Sequence, residues 1–200
     1  MYELKRLLKR HIEENFFKYI LILALFAMGI LAGFVFSANL SYEVSESVNG
    51  EVGGFIDGFS EGVFNKGEIF RASFLKTLRI TLLIFAGGLS VWLLPISFAT
   101  LFSYGFSLGF TLGYLSSNFG AKGLGVGVVS VFLVFLINIP SYIILSVVAI
   151  NNSRYKRKGR NSKNNFGLYS IIFAVLFLFS LISVVADTFC VPWIIGLICG

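Results

Sequence analysis

Between Arg79 and Lys122 this chain runs for 42 residues without one charged side chain. Crossing ~30 Å of hydrocarbon takes about 20 residues of helix rising ~1.5 Å each, so the run is long enough for two crossings. Further uncharged stretches flank it at residues 19–42, 123–153 and 164–186. The pattern predicts an all-α polytopic membrane protein with five transmembrane helices in one membrane domain. With 56% hydrophobic residues and a mean hydropathy of +0.86, little polar sequence remains for a separate soluble domain.

Charge sets the orientation. The net charge of +6 is concentrated in two places. Residues 1–18 read as a basic amphipathic helix, with Leu4, Leu7, Leu8, Ile12 and Phe16 at helical spacing and Lys5, Arg6, Lys9 and Arg10 between them. Residues 151–167 carry Arg154, Lys156, Arg157, Lys158, Arg160 and Lys163 and no acid. The positive-inside rule assigns both segments to the cytoplasm, and an even number of crossings must lie between them. Spans at 19–36, at 80–117 as a hairpin of two arms around Pro95, and at 123–150 satisfy that parity. A fifth span at 168–187 then carries the C-terminus outside, followed by an apolar tail at 188–200. The first span is expected to be retained, because its apolar run exceeds the ~7–15 residues of a signal-peptide core. The cations signal membrane topology, and no nucleic-acid-binding motif accompanies them.

Residues 37–79 form the expected extracytoplasmic loop, with six acids, four cations and six glycines. Val44, Val48, Val52, Ile56, Phe59 and Val63 recur every three or four residues, an apolar stripe suited to a membrane surface or to a docking partner. Two packing motifs stand out within the spans. Gly29 and Gly33 form a GxxxG pair in the first. In the second hairpin arm Gly105, Gly109 and Gly113 repeat every fourth residue beside Phe102, Phe106, Phe110 and Tyr114. A flat ridge next to a bulky one lets backbones close on the glycines while rings fill the adjoining groove. Pro140 is expected to kink the fourth span, where Asn138 and Ser141 can satisfy freed backbone groups.

Candidate chemistry is sparse. His11 is the sole histidine, and Cys190 and Cys199 lie in an apolar segment where they read as small hydrophobes or as a bridged pair. No metal, cofactor or catalytic set emerges, and the span centres as drawn hold no ionisable group, which speaks against an intramembrane hydrolase or an ion-coupled pump. A scaffold is the first functional reading. A small transporter or permease subunit, with helices broken at Pro95 and Pro140, is the alternative.

Several segments carry a resemblance. Leu8-Lys9-Arg10-His11-Ile12-Glu13-Glu14-Asn15 leads to Tyr19-Ile20 and Gly29-Ile30-x-x-Gly33. Gly88-Leu89-Ser90 precedes Leu94-Pro95. Tyr104-Gly105-Phe106-Ser107-Leu108-Gly109-Phe110-Thr111 is followed by Gly120-Ala121-Lys122-Gly123. In these, and in the five-span layout, the chain resembles the stage II sporulation protein M family of endospore-forming bacteria. The resemblance implies a multi-pass protein of the cell membrane, enriched at the sporulation septum. It would recruit and anchor two peptidoglycan-degrading partners, a cell-wall amidase and a lytic transglycosylase, for septum migration and forespore engulfment. A homo-oligomer is compatible with the glycine motifs.

Overall fold

The computed structural model describes the backbone of residues 2–40, 65–157 and 163–199, and the side chains of residues 13–40, 65–118, 137–154 and 166–192. Its regular elements are all helical: α1 (Tyr2–Ala38), α2 (Lys66–Leu89), a 3-10 turn (Val91–Leu93), α3 (Leu94–Arg157) and α4 (Lys163–Cys199). Four stretches among the described residues are long and apolar enough to cross a membrane: Glu13–Ala38, Lys66–Leu89, Val91–Asn118 and Phe166–Pro192. Their outer faces are apolar as well, with Leu31, Ile171 and Leu178 exposed by 65%, 62% and 61%. Such faces suit a hydrocarbon solvent rather than water.

The 64 helical residues of α3 cannot be straight. The Tyr104 and Tyr142 rings meet edge to face with centroids 5.2 Å apart, whereas 38 residues of straight helix would separate them by about 57 Å. The chain therefore turns back between residues 118 and 137, leaving an outgoing limb (94–118) and a returning limb (137–157). Pairings along the bundle give every direction. Gly29 meets Phe102 and Gly113 meets Ser37, so α1 and the outgoing limb run parallel. Ser97 reaches Ile84 while Lys76 lies over Tyr104, so α2 runs against that limb. Ser73 meets Asp187 and Phe85 stacks on Tyr169, so α4 runs against α2. The five limbs alternate in direction around a core of Ile22, Phe26, Ile84, Leu101, Leu108, Leu145 and Val147.

Several expected boundaries move. α1 joins the amphipathic segment to the first span, interrupted only at Asn15 (φ −119, ψ 15). α2 begins at Lys66, inside the segment read as loop 37–79, because Asn65 caps it: its side chain accepts from the Gly67 N–H at 3.0 Å and donates to Glu68 at 3.2 Å. The hairpin turn falls at residues 90–93, and Pro95 sits in the first turn of α3, where its missing N–H costs no helical bond. α3 continues to Arg157 and α4 starts at Lys163, so the basic connection shrinks from 151–167 to 158–162. Asp187, taken as the end of a span, lies within α4, which continues past Pro192. Its carboxylate accepts from Ser73 Oγ at 2.9 Å, so the charge does not end the helix.

Candidate functional site

The glycine stripes of α1 and the outgoing α3 limb face each other with backbone against backbone. A Cβ built on Gly29 would lie 2.5 Å from the Phe102 carbonyl oxygen, and one on Gly33 would lie 2.1 Å from that of Phe106. From the other side, a Cβ on Gly105 would meet the Phe26 carbonyl at 2.6 Å and one on Gly109 the Ile30 carbonyl at 2.0 Å. On Gly113 it would come within 2.1 Å of Ser37 Oγ. Four of these five neighbours are main-chain atoms, so side-chain rotation cannot relieve a substitution there. Small residues at such a crossing permit the close van der Waals approach that replaces the hydrophobic effect inside a bilayer. Beside the seam the rings form a continuous row: Phe36 lies 5.6 Å from Phe106 and 6.3 Å from Phe110, and Phe110 stacks on Tyr114 at 5.8 Å.

A second construction holds the C-terminal end of α2. The last four carbonyls of a helix have no intrahelical donor and, inside a membrane protein, need one from elsewhere; in α2 these include Gly87 and Gly88, while the Ile84 and Phe85 carbonyls, one turn earlier, gain a second donor. Ser97 Oγ donates to Ile84 O at 3.0 Å, Tyr169 Oη to Phe85 O at 2.8 Å, Ser153 Oγ to Gly87 O at 3.1 Å and Asn152 Nδ2 to Gly88 O at 2.9 Å. The donors come from both limbs of α3 and from α4. Glycine is required in this turn because a Cβ on Gly87 would meet Ser97 Oγ at 1.8 Å and one on Gly88 would meet Tyr169 Oη at 2.2 Å. At the same end Asn15 Oδ1 accepts from Lys18 Nζ at 2.6 Å and from Asn151 Nδ2 at 3.0 Å, while Lys18 also donates to Asn151 Oδ1. This junction ties α1 to the returning limb and explains the helix break at Asn15, whose side chain is drawn inward.

The third feature corrects the expectation of charge-free spans. Because α2 starts at Lys66, Lys76 and Arg79 lie within it, and Asp187 lies within α4. Around them the bundle holds a polar cluster. Ser183 donates to Asn138 Oδ1 at 2.9 Å, Tyr142 faces Thr77 and Thr81, and Lys76 sits 5.8 Å from the Tyr104 ring centre. Tyr104 is 4% exposed. Its hydroxyl lies beside Asn138 without completing a hydrogen bond, and Ser180 Oγ is likewise buried without one. Of these residues the sequence pattern singles out only Asn138, together with Ser141, which bonds back to Ile137 O at 2.9 Å. The i, i+4 pair Thr77 and Thr81 was the available signal for a polar helix face. Among the described residues no group of three or more His, Cys, Asp or Glu could hold a metal.

The candidate docking residues Val44, Val48, Val52, Ile56, Phe59 and Val63 lie outside the described residues, as does the side chain of Cys199. Cys190 is a free thiol and exposed, rather than a buried small hydrophobe. Among known proteins, the model of the family described as Stage II sporulation protein M matches residues 22–192, from the α1 span to Pro192 of α4. No curated protein and no solved structure matches the chain. The match takes in the glycine seam, the capped α2 terminus and the polar cluster alike. The chain belongs to the stage II sporulation protein M family and is a sporulation-related membrane protein.

Proposed function

We propose that the protein is a non-catalytic membrane scaffold that recruits and anchors peptidoglycan-degrading enzymes, an amidase and a lytic transglycosylase, at the sporulation septum. The reading is supported by where α1 ends and α2 begins, the two helices that flank residues 41–64 in sequence. α1 ends where Ser37 packs on Gly113, and α2 begins where Lys66 lies 5.8 Å from the Phe189 ring centre and Ser73 meets Asp187. The end of α1 and the start of α2 therefore lie at the same end of the bundle. Lys18, which donates to Asn151, and Arg154, next to the Ser153 that meets Gly87, mark the other. With the basic end in the cytoplasm, the five limbs make five crossings, the N-terminus is inside, the C-terminus is outside, and residues 41–64 face the cell wall. The backbone-to-backbone seam and the capped α2 end support a stiff frame for that segment.

Deleting residues 44–63 is expected to leave the protein inserted in the membrane while releasing the cell-wall hydrolases in co-purification from sporulating cells. Undiminished co-purification would refute the assignment of docking to this segment. A second reading, a small transporter, draws on Lys76, Asp187 and the polar cluster between the helices. Solute flux into liposomes carrying the purified protein, abolished by Asp187→Asn, would favour it over the scaffold.

A further inference from the structure

A groove of about 560 Å³ runs down the outside of the bundle between α2 and the outgoing limb of α3. Its composition changes with depth. Lys76 and Arg79 on α2 lie opposite Ser103 and Ser107 on α3, with Ala72 and Leu75 above them toward the start of α2 and Leu83 and Ile96 below. The register follows from the antiparallel pairing: Lys76 lies over Tyr104, and Ser97 meets Ile84. Among the described residues no acidic side chain lines the groove.

Lys76, Arg79, Ser103 and Ser107 are all exposed. Arg79 stands ten residues before Leu89, the last residue of α2, hence about 15 Å along the helix from that end. A cation at that depth on a lipid-facing surface is costly unless it reaches the interface or meets an anion. Side chains on a helix lean toward its N-terminus, which favours the Lys66 end for both cationic heads, and Lys76 and Arg79 line the same groove as Ser103 and Ser107. Asp187 lies near Lys76 and is engaged by Ser73. The abundant mobile anion available to a membrane helix is the lipid phosphate of the headgroup layer, and basic pockets between membrane helices draw in such headgroups.

We propose that this groove holds one anionic membrane phospholipid, its phosphate between Arg79, Lys76 and the Ser103 and Ser107 hydroxyls and the start of an acyl chain against Leu83 and Ile96. A cationic, hydroxyl-bearing stretch above the apolar Leu83 and Ile96 matches the step from headgroup to acyl chain in such a lipid. The site is independent of the scaffold reading, since it needs only α2 and α3 in a bilayer.

The test is native mass spectrometry of the full-length protein in nonionic detergent, titrated separately with phosphatidylglycerol, phosphatidylcholine and inorganic phosphate. One phosphatidylglycerol is expected to be retained in preference to phosphatidylcholine, with no comparable binding of free phosphate. Arg79→Gln should weaken it about fivefold and the Lys76→Gln/Arg79→Gln pair about 25-fold, while Arg79→Lys retains most of the binding. Leu83→Trp, which fills the apolar base and leaves both cations, should also lower retention. It decides the matter independently if the double variant fails to fold. Undiminished phosphatidylglycerol binding in the double variant or in Leu83→Trp would overturn the proposal. So would equal retention of phosphatidylcholine, or free phosphate binding as tightly as the lipid.

Discussion

Replacing Gly109 by alanine adds a single methyl group at the tightest point of the seam. The new Cβ would stand 2.0 Å from the Ile30 carbonyl oxygen, with the Ile30 carbonyl carbon at 2.7 Å and its Cα at 2.9 Å. All three are main-chain atoms, so relief requires α1 and α3 to separate. Reaching the 3.0 Å below which real Cβ contacts essentially never fall needs 3.0 − 2.0 = 1.0 Å of movement. A gap of that size forfeits roughly a quarter to a half of the dispersion energy of every contact along the crossing. Overpacking of this kind costs about 1–3 kcal/mol, and ~2 kcal/mol is roughly a 30-fold change in the folded-to-unfolded ratio. Alanine also gains up to ~1 kcal/mol of helix propensity over glycine. Gly167→Ala in α4 isolates that gain, because a Cβ there meets nothing within 4 Å. Unfolding free energies measured by SDS titration in mixed micelles are expected to place Gly109→Ala about 1–3 kcal/mol below Gly167→Ala. Gly33→Ala should behave similarly, and the two together should fall short of additive because one separation relieves both clashes. If Gly109→Ala is no less stable than Gly167→Ala, the seam does not have the contact described.

Other expectations follow from the hydrogen bonds. Tyr169→Phe keeps the ring stacked 4.9 Å from Phe85 but removes the donor to Phe85 O, so a loss of about 1 kcal/mol is expected in the same unfolding assay. Tyr104→Phe removes a buried hydroxyl that lacks a hydrogen bond and should be neutral or stabilising, by up to about 1–3 kcal/mol; a clear loss would reveal a partner for that hydroxyl. Asn65→Ala removes the α2 cap and should cost about 1 kcal/mol, visible as faster hydrogen exchange at residues 66–69.

Long uncharged runs and every-fourth-residue glycines were legible in the sequence because both are local patterns. The seam needed one further fact, that α1 and the outgoing α3 limb run parallel and bring Gly29 and Gly33 against Gly105, Gly109 and Gly113. The start of α2 was missed because a charge-free criterion discards Lys66, Arg71, Lys76 and Arg79, although Asn65 followed by Glu68 is a legible capping signal. Asp187 was misread as a boundary for the same reason: its acceptance from Ser73 spans 114 residues and leaves no local trace. The role of Gly88-Leu89-Ser90 was equally hidden. Its glycine is fixed by a tyrosine from α4 and an asparagine from the returning limb, partners that only the fold assembles.

The scaffold claim is tested most directly by incorporating a photo-crosslinking amino acid at Val52 or Ile56 and irradiating sporulating cells, with the lipid-facing Leu178 as control. The expected result is a covalent adduct from Val52 or Ile56 to a peptidoglycan-degrading enzyme, absent from Leu178. Adducts confined to lipid, or identical from all three positions, would contradict it.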